Sequence, residues 1–358
     1  MASGVDLIMR NPAGYSTGDH MNNILAVTVT YGNRFHLLRQ VIDAALNEGV
    51  NKVIVVDNNS EPESREKLKE YHKLNKDRID VLYLSENLGS AGGFKRGLKR
   101  ARDDPECEFI WLLDDDNMPC PGSLETLKKF WESQDLEGKE ERLALLSYRK
   151  DKFDLKTIKS NNQEGVPGKK NSFSGFHVSQ IPLYVRTVIL RKIRENEATR
   201  PRLPPEVTVP MAPYGGLFFN KKLLDVIGYP MEELYLYSDD HEWTYRIICR
   251  KGRIVLLTDS IIKDLETSWD IPRKNGTMLS KFSPSNTFRV YYGIRNRSYF
   301  EKKYLVTRRY VYNLNRVLFL LLIFFHDLFF FGTLKTFKTV LRAIEDEKKN
   351  RLGKRFTD

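Results

Sequence analysis

The chain has 358 residues, 41% hydrophobic and 29% charged, close to soluble-protein averages, which excludes a disordered chain or a polytopic membrane protein. Its three cysteines, Cys107, Cys120 and Cys249, are odd in number and form no CxxC pair, so a reducing cytoplasm is expected rather than a disulfide framework or zinc knuckle. The formal charge of +11 is local: from Arg289 onward 16 Lys and Arg face 6 Asp and Glu, whereas a nucleic-acid binder would spread basic charge and stacking aromatics over its binding face, so no nucleic-acid partner is expected.

Residues 1–22 are polar, without the apolar run of a secretory signal, and read as a disordered leader or an extraneous extension ahead of a natural start at Met21. Apolar runs then alternate with helical patterns. Strands are predicted at Ile24–Thr30, Lys52–Asp57, Val81–Leu84 and Glu108–Leu113, and helices at Arg34–Asn47, Glu63–Leu74 and Gly93–Ala101. This alternation predicts an α/β fold with a mostly parallel sheet and right-handed crossovers, whose ligands bind beyond the carboxyl ends of the strands. The residues after those strands, from Tyr31, Asp57, Glu86-Asn87 and Asp114, are all polar and are expected to share one site, although each alone reads equally as a turn or cap. The stretch from Glu132 to Pro210 is expected to hold a sheet extension and an acceptor-side insertion.

Trp111-Leu112-Leu113-Asp114-Asp115-Asp116 is an apolar strand ending in three carboxylates. On an extended strand Asp114 and Asp116 share a side and Asp115 points away. Two converging carboxylates suit Mg²⁺ or Mn²⁺ and a phosphate-bearing substrate; the bland alternative is a solvated acidic turn. The loop Glu86–Phe94 places Asn87, Gly92 and Gly93 before a helix, where backbone N–H groups favour an anion, and it is not the dinucleotide fingerprint. A second cluster, Ser238-Asp239-Asp240-His241-Glu242, opens another helix. It reads either as a cap with a Glu242–Arg246 pair or as the carboxylate of a general base. Gly215-Gly216 would let backbone approach a bulky ligand or simply bend a strand, and Asp264, after the strand Arg253–Leu257, would approach the metal.

Taken in order, Thr28–Tyr31, Val56–Ser60, Glu86–Gly89 with Gly92-Gly93-Phe94, the Leu-Leu-Asp-Asp-Asp strand end, Gly215-Gly216, and Asp239-Asp240 with Trp243 and Arg246 resemble family 2 glycosyltransferases. Within that family the pattern is most similar to bacterial galactofuranosyl- and rhamnosyltransferases, over Ile24–Trp269, and Tyr291–Asn296 resembles the segment that follows their catalytic domain. The resemblance implies a GT-A fold, an inverting hexosyl transfer from a nucleotide-diphosphate sugar, galactofuranose before rhamnose, and Mn²⁺ or Mg²⁺. The acceptor would be a hydroxyl of a cell-surface glycan or lipid-linked oligosaccharide. By position, Thr28, Tyr31 and Asp57 would hold the nucleotide, with Asn87, Gly92, Gly93 and Asp115 counted beside them. Asp114 and Asp116 would organise metal and diphosphate, with Asp264 where the family often has a histidine ligand. Asp240 would be the base, and Asp239, Glu242, Trp243, Gly215 and Gly216 would position acceptor or donor. A nucleotidyltransferase and a non-enzymatic membrane- or nucleic-acid-binding protein are the alternatives. Truncation before Arg289 would spare the sugar-nucleotide site of an enzyme and abolish binding in the latter.

The expected organisation is a leader (1–22), a GT-A domain (23–270, with 132–210 on its acceptor side) and a helical, basic C-terminal region (271–358). In that last region the apolar Val317–Phe325 and Leu328–Phe331 are interrupted by His326-Asp327 and flanked by Arg308, Arg309, Arg316, Lys335 and Lys338. The whole apolar stretch is shorter than the about 20 residues that span a bilayer and carries an ionisable pair near its middle, so the segment is expected to lie on the anionic inner face of the cell membrane. Burial at a domain or homo-oligomer interface is the other reading.

Overall fold

The computed structural model describes residues 23–150, 169–180, 204–266, 279 and 281–355; the expected leader and much of the acceptor-side insertion lie outside the described residues. Three strand–helix units open the fold: β1 (Ile24–Thr30), α1 (Phe35–Asn47), β2 (Lys52–Asp57), α2 (Pro62–Leu74), β3 (Ile79–Tyr83) and α3 (Gly89–Asp103). Then come β4 (Phe109–Asp114), β5 (Asn117–Pro119), α4 (Ser123–Ser133), α5 (Lys139–Arg142) and β6 (Leu143–Arg149). After β7 (Glu206–Val209), β8 (Leu217–Asn220), α6 (Leu223–Ile227), α7 (Asp239–Cys249) and β9 (Arg253–Asp264), three helices close the chain: α8 (Thr287–Tyr304), α9 (Arg309–His326) and α10 (Lys335–Lys348). The expected α/β sheet with a helical C-terminal extension is the fold observed.

Among the described residues nine strands make one sheet in the order β3-β2-β1-β4-β8-β6-β9-β5, with β7 also on β9. β3, β2, β1 and β4 are parallel, so their carboxyl ends share an edge. β8 enters antiparallel between β4 and β6. All seven residues of β1 are buried because both faces of the sheet are covered. Leu25, Val27 and Val29 meet Phe94 and Leu98 of α3, and Ile24 and Ala26 meet Leu38 and Ile42 of α1, as a side-chain period of two requires.

Two boundaries differ from the sequence reading by four residues or more, each for a packing reason. α3 starts at Gly89, four residues before the expected Gly93, because Gly93 and Gly97 are contact points against β1. A Cβ on Gly93 would stand 2.6 Å from Val29 Cγ1, and one on Gly97 would stand 2.5 Å from Val27 Cγ1. β9 continues past Leu257 to Asp264, its pairing with β6 jumping from Ser147–Leu257 to Tyr148–Ile261 across a bulge. That bulge carries Asp259 on its exposed side and delivers Asp264 opposite Asn117 of β5. The expected sheet extension within 132–210 is β6 and β7.

Candidate functional site

Beyond the carboxyl ends of β1, β2 and β4 lies a cavity of about 750 Å³. The expectation that the polar strand ends form one site holds: Tyr31, Arg34, Asn58, Asn87 and Asp114 to Asp116 all line it. Asp239, Asp240 and His241 at the start of α7 line it too, so both acidic clusters face one space.

The three aspartates diverge as a strand end dictates. Asp115 turns inward to the tip of β1, accepting from Thr30 Oγ1 at 2.8 Å and from Arg34 Nε at 2.9 Å. Asp116 stays on the cavity side, 3.3 Å from Arg34 Nη2, and Asp114 lies 3.2 Å from Arg149 Nη1. Burial, then the neighbouring Asp114 and Asp115 charges, push the Asp116 carboxyl up to about 7. Such mutual repulsion in one pocket fits a bound cation, and the hard oxygens of Asp114 and Asp116 are suitable donors. Among the described residues no group of three or more His, Cys, Asp or Glu side chains is arranged for a metal, so these two would hold it with substrate oxygens completing the shell.

Asp264 does not line the cavity and is held by protein partners. Arg149, 1% exposed at the end of β6, places its guanidinium between two carboxylates. Its Nη2 lies 2.7 Å from Asp264 and its Nη1 faces Asp114, while Asn117 Nδ2 also donates to Asp264 at 2.9 Å. Gly215 exists for this packing rather than for a ligand: a Cβ there would overlap Asn117 Oδ1 and stand 2.7 Å from Asp114 Oδ2. Gly216, at φ +97°, makes the turn into β8, and neither glycine lines the cavity.

On the opposite wall, Asp239 and Asp240 have separate tasks. Asp239 is buried and accepts from Ser90 Oγ at 2.8 Å and Tyr214 OH at 2.9 Å, tying α7 to α3. Burial, then the adjacent Asp240 charge, push its carboxyl up to about 7. Asp240 is half-buried beside the cavity, its Oδ1 accepting from the His241 N–H at 2.8 Å. Glu242 points away from the site. It pairs with Arg246 and Lys303 and accepts from Tyr304 OH, joining α7 to α8, as the helix-pairing alternative has it. Trp243 is a core residue, fully buried beneath Tyr214 and Phe219 with Nε1 donating to Gly228 O, and offers no stacking face.

The nucleotide-side residues also divide. Tyr31, half exposed with Arg34 against its ring, and Asn87 line the cavity. Asp57 and Thr28 do not: Asp57 is fully buried, held by the Ser60 N–H and by Arg65 Nε at 2.5 Å, and Thr28 is inside the sheet. Asn58, the next residue, takes the cavity position instead. The start of α3 is not an open anion cradle, because the N–H groups of Leu88, Gly89 and Ala91 already donate to Asn58 Oδ1, Asn87 Oδ1 and Tyr235 O. Gly92 and Gly93 lie inside that helix, and Lys95 and Arg96 pair with Glu232.

Sequence reasoning missed the C-terminal contribution. Lys281, Arg289 and Arg297 line the cavity together with Phe288 and Ile294, so α8 is a wall of it and truncation before Arg289 cannot spare the site. The loop before α7 is also built from α8. Tyr235, Tyr237 and Ser238 have φ of +65°, +64° and +60°, conformations unfavourable for non-glycine residues. Asn296 Nδ2 donates to Leu234 O, Leu236 O and Tyr237 O at 2.6, 2.7 and 3.0 Å, and Arg295 Nη2 also reaches Leu234 O. A buried Arg-Asn pair in Tyr291–Asn296 was the available signal. For Arg149 it was a cation directly ending the mostly apolar run Leu143–Tyr148.

Residues 26–138 match the profile described as glycosyl transferase family 2. No curated protein sequence matches the chain. Among solved structures the chain is distantly similar to GalNAc-T7 with UDP, GalNAc and Mn²⁺ (12% identity, TM-score 0.49, 78% of this chain and 48% of that one). It is also similar to the mannosyltransferase PcManGT from Pyrobaculum calidifontis with GDP-Man and Mn²⁺ (12%, 0.48, 91% and 75%). S. aureus TarS residues 1–349 with UDP gives 15%, 0.43, 92% and 92%. The chain thus spans about half of GalNAc-T7, at 48%, and 43% of the longer TarS structure.

Proposed function

We propose that this chain, whose residues 26–138 match the glycosyl transferase family 2 profile, is a metal-dependent, inverting hexosyltransferase using a nucleotide-diphosphate sugar. The observation that carries the reading is the pair of separated carboxylate clusters on one cavity, Asp114 and Asp116 on the sheet side and Asp240 on α7. An acceptor hydroxyl attacks the anomeric carbon as its proton passes to Asp240. The new C–O bond forms on one face while the bond to the diphosphate breaks on the other, and its electron pair leaves with the nucleotide. Mn²⁺ or Mg²⁺ held by Asp114 and Asp116 would neutralise the departing diphosphate. Tyr31, Asn58 and Asn87 flank the nucleotide end, and Arg289 and Lys281 add positive charge from the C-terminal side. Galactofuranose is the favoured donor sugar and rhamnose the next, on the motif resemblance, with a cell-surface glycan or lipid-linked acceptor.

The test is nucleotide-diphosphate release from a panel of UDP-, dTDP- and GDP-sugars with Mn²⁺ or Mg²⁺, for the wild type, Asp116→Ala and Asp240→Asn. Metal-dependent turnover of one donor, lost in Asp116→Ala and lowered about 10²–10⁴-fold in Asp240→Asn, is expected. Full turnover in Asp240→Asn would remove it as the base.

A further inference from the structure

One unassigned feature of the described residues is an apolar surface on α9. Tyr310, Leu314, Val317, Leu321 and Phe325, spaced by three or four residues, are 70%, 52%, 50%, 48% and 48% exposed and form one stripe. Past His326 the helix widens into a π turn, Asp327–Phe331, which ends at Gly332 with φ +62°. This turn sets consecutive aromatics on the outside: Phe329 is 75% and Phe330 77% exposed. The segment Arg309–Phe331 is 23 residues long and contains an 18-residue window with a mean hydropathy of 1.9. His326-Asp327 does not interrupt the surface as expected. Asp327 turns inward, where Oδ2 accepts from the Phe337 N–H at 2.8 Å and caps the first turn of α10.

By length and composition this segment could cross a bilayer, but its other face is committed to the protein. Tyr312, Asn315, Phe319 and Ile323 are buried. Asn315 donates to Asn171 O at 2.8 Å and accepts from the Val178 N–H at 3.0 Å, and Phe319 packs on Phe173 at 5.2 Å between ring centroids. Moving into hydrocarbon would strip those polar groups of partners. Exposed Arg308 and Arg309 mark one end of the stripe, and exposed Lys335 and Lys338 stand just beyond the other. Since the tail from Arg289 holds 16 basic and 6 acidic residues, a second copy on this face would bring like charge together, whereas an anionic bilayer complements it.

We propose that α9 and its π turn are a lipid-docking surface. The protein sits peripherally on an anionic membrane, with the Phe329 and Phe330 rings in the acyl boundary and the flanking cations among the headgroups. Ser174 and Gly175, on the cavity rim, adjoin the Phe173 and Phe176 that pack against the buried face of α9, so α9 links the docked surface to the site. Where the sugar-transfer reading also holds, the acceptor is presented from that membrane.

The test is flotation of the full chain with vesicles of phosphatidylcholine alone or mixed with phosphatidylglycerol. Its readout is binding, so it succeeds or fails apart from sugar transfer. The wild type is expected to float with the anionic vesicles, and Phe329→Ser/Phe330→Ser to bind at least about tenfold more weakly. Lys335→Glu/Lys338→Glu is expected to lose about tenfold of the anionic preference. Because all four side chains are exposed, the variants should melt as the wild type does. No flotation with either vesicle would overturn the proposal. So would a lipid-free dimer that the Phe variant converts to monomer while vesicles leave the dimer intact, since the stripe would then join two copies.

Discussion

At the scale of single residues, the site sets its carboxylates apart by their surroundings. Asp239 has an ordinary value near 4 when unfolded and about 7 in the fold, where burial and then the Asp240 charge oppose ionisation. Below about pH 4 both states hold the proton; between about 4 and 7 the folded chain keeps a proton that the unfolded chain releases. Stability is therefore expected to fall as pH rises through this window, by up to about 4 kcal/mol, and Asp239→Asn should flatten that part of a denaturation-against-pH profile. An unchanged slope would show that Asp239 titrates normally. Gly215 is the second residue-scale test. In Gly215→Ala the added Cβ must displace Asn117 or Asp114, so metal-dependent turnover should fall at least about tenfold while unfolding shifts by about 1–3 kcal/mol. The acids were legible because a strand followed by three carboxylates has few structural uses. Arg149 beside Asp264 and Lys303 beside Glu242 were not, since an arginine from an unassigned strand and a lysine from α8 lie 115 and 61 residues away in sequence.

At the scale of elements, the first half of the sheet was readable because hydrophobic period and turn chemistry agree locally along β1 to β4. The rest depends on pairing at a distance. β8 slots antiparallel between β4 and β6, and β9 carries a bulge, neither of which leaves a period in the sequence. The loop Tyr235–Ser238 is the clearest case, because its unfavourable backbone is set by a residue 58 positions or more downstream. Asn296 satisfies three carbonyls there, and leaving buried acceptors unpaired costs about 1–3 kcal/mol. Asn296→Ala is expected to lose that much stability. Below its melting point it should also lose kcat more than donor KM changes, since Asp240 at the next helix start would be misplaced while the β1–β4 side stays intact. A variant that loses stability but keeps its kcat at low temperature would confine Asn296 to a structural role.

At the scale of the whole molecule, the C-terminal helices belong to the unit that builds the cavity, and the charge asymmetry that made them look like an appendage misdirects the eye. Tyr291, Tyr292 and Ile294 share a core cluster with Phe173, Tyr235 and Phe282, so α8 buries the back of the very loops that rim the cavity. Glu301, itself fully buried, accepts from the N–H groups of Ser174 and Gly175 at 2.9 and 3.1 Å and is paired with Arg297, a cavity residue. Ending the chain at Asn286 would expose Phe173, Tyr235 and Phe282, each worth about 1.5–3 kcal/mol of burial, and would leave the Tyr235–Ser238 backbone without Asn296. These losses are comparable to the whole stability of a domain, about 5–15 kcal/mol. The truncated chain is therefore expected to aggregate or to lack donor turnover entirely. Adding a separately produced 287–355 fragment should restore part of both, because the missing contacts are noncovalent. Expression of the two pieces apart and together, read by size exclusion and nucleotide-diphosphate release, checks this. A soluble 23–286 fragment with wild-type turnover would return α8 to an accessory role and move the charge of Arg289 and Arg297 out of the reaction.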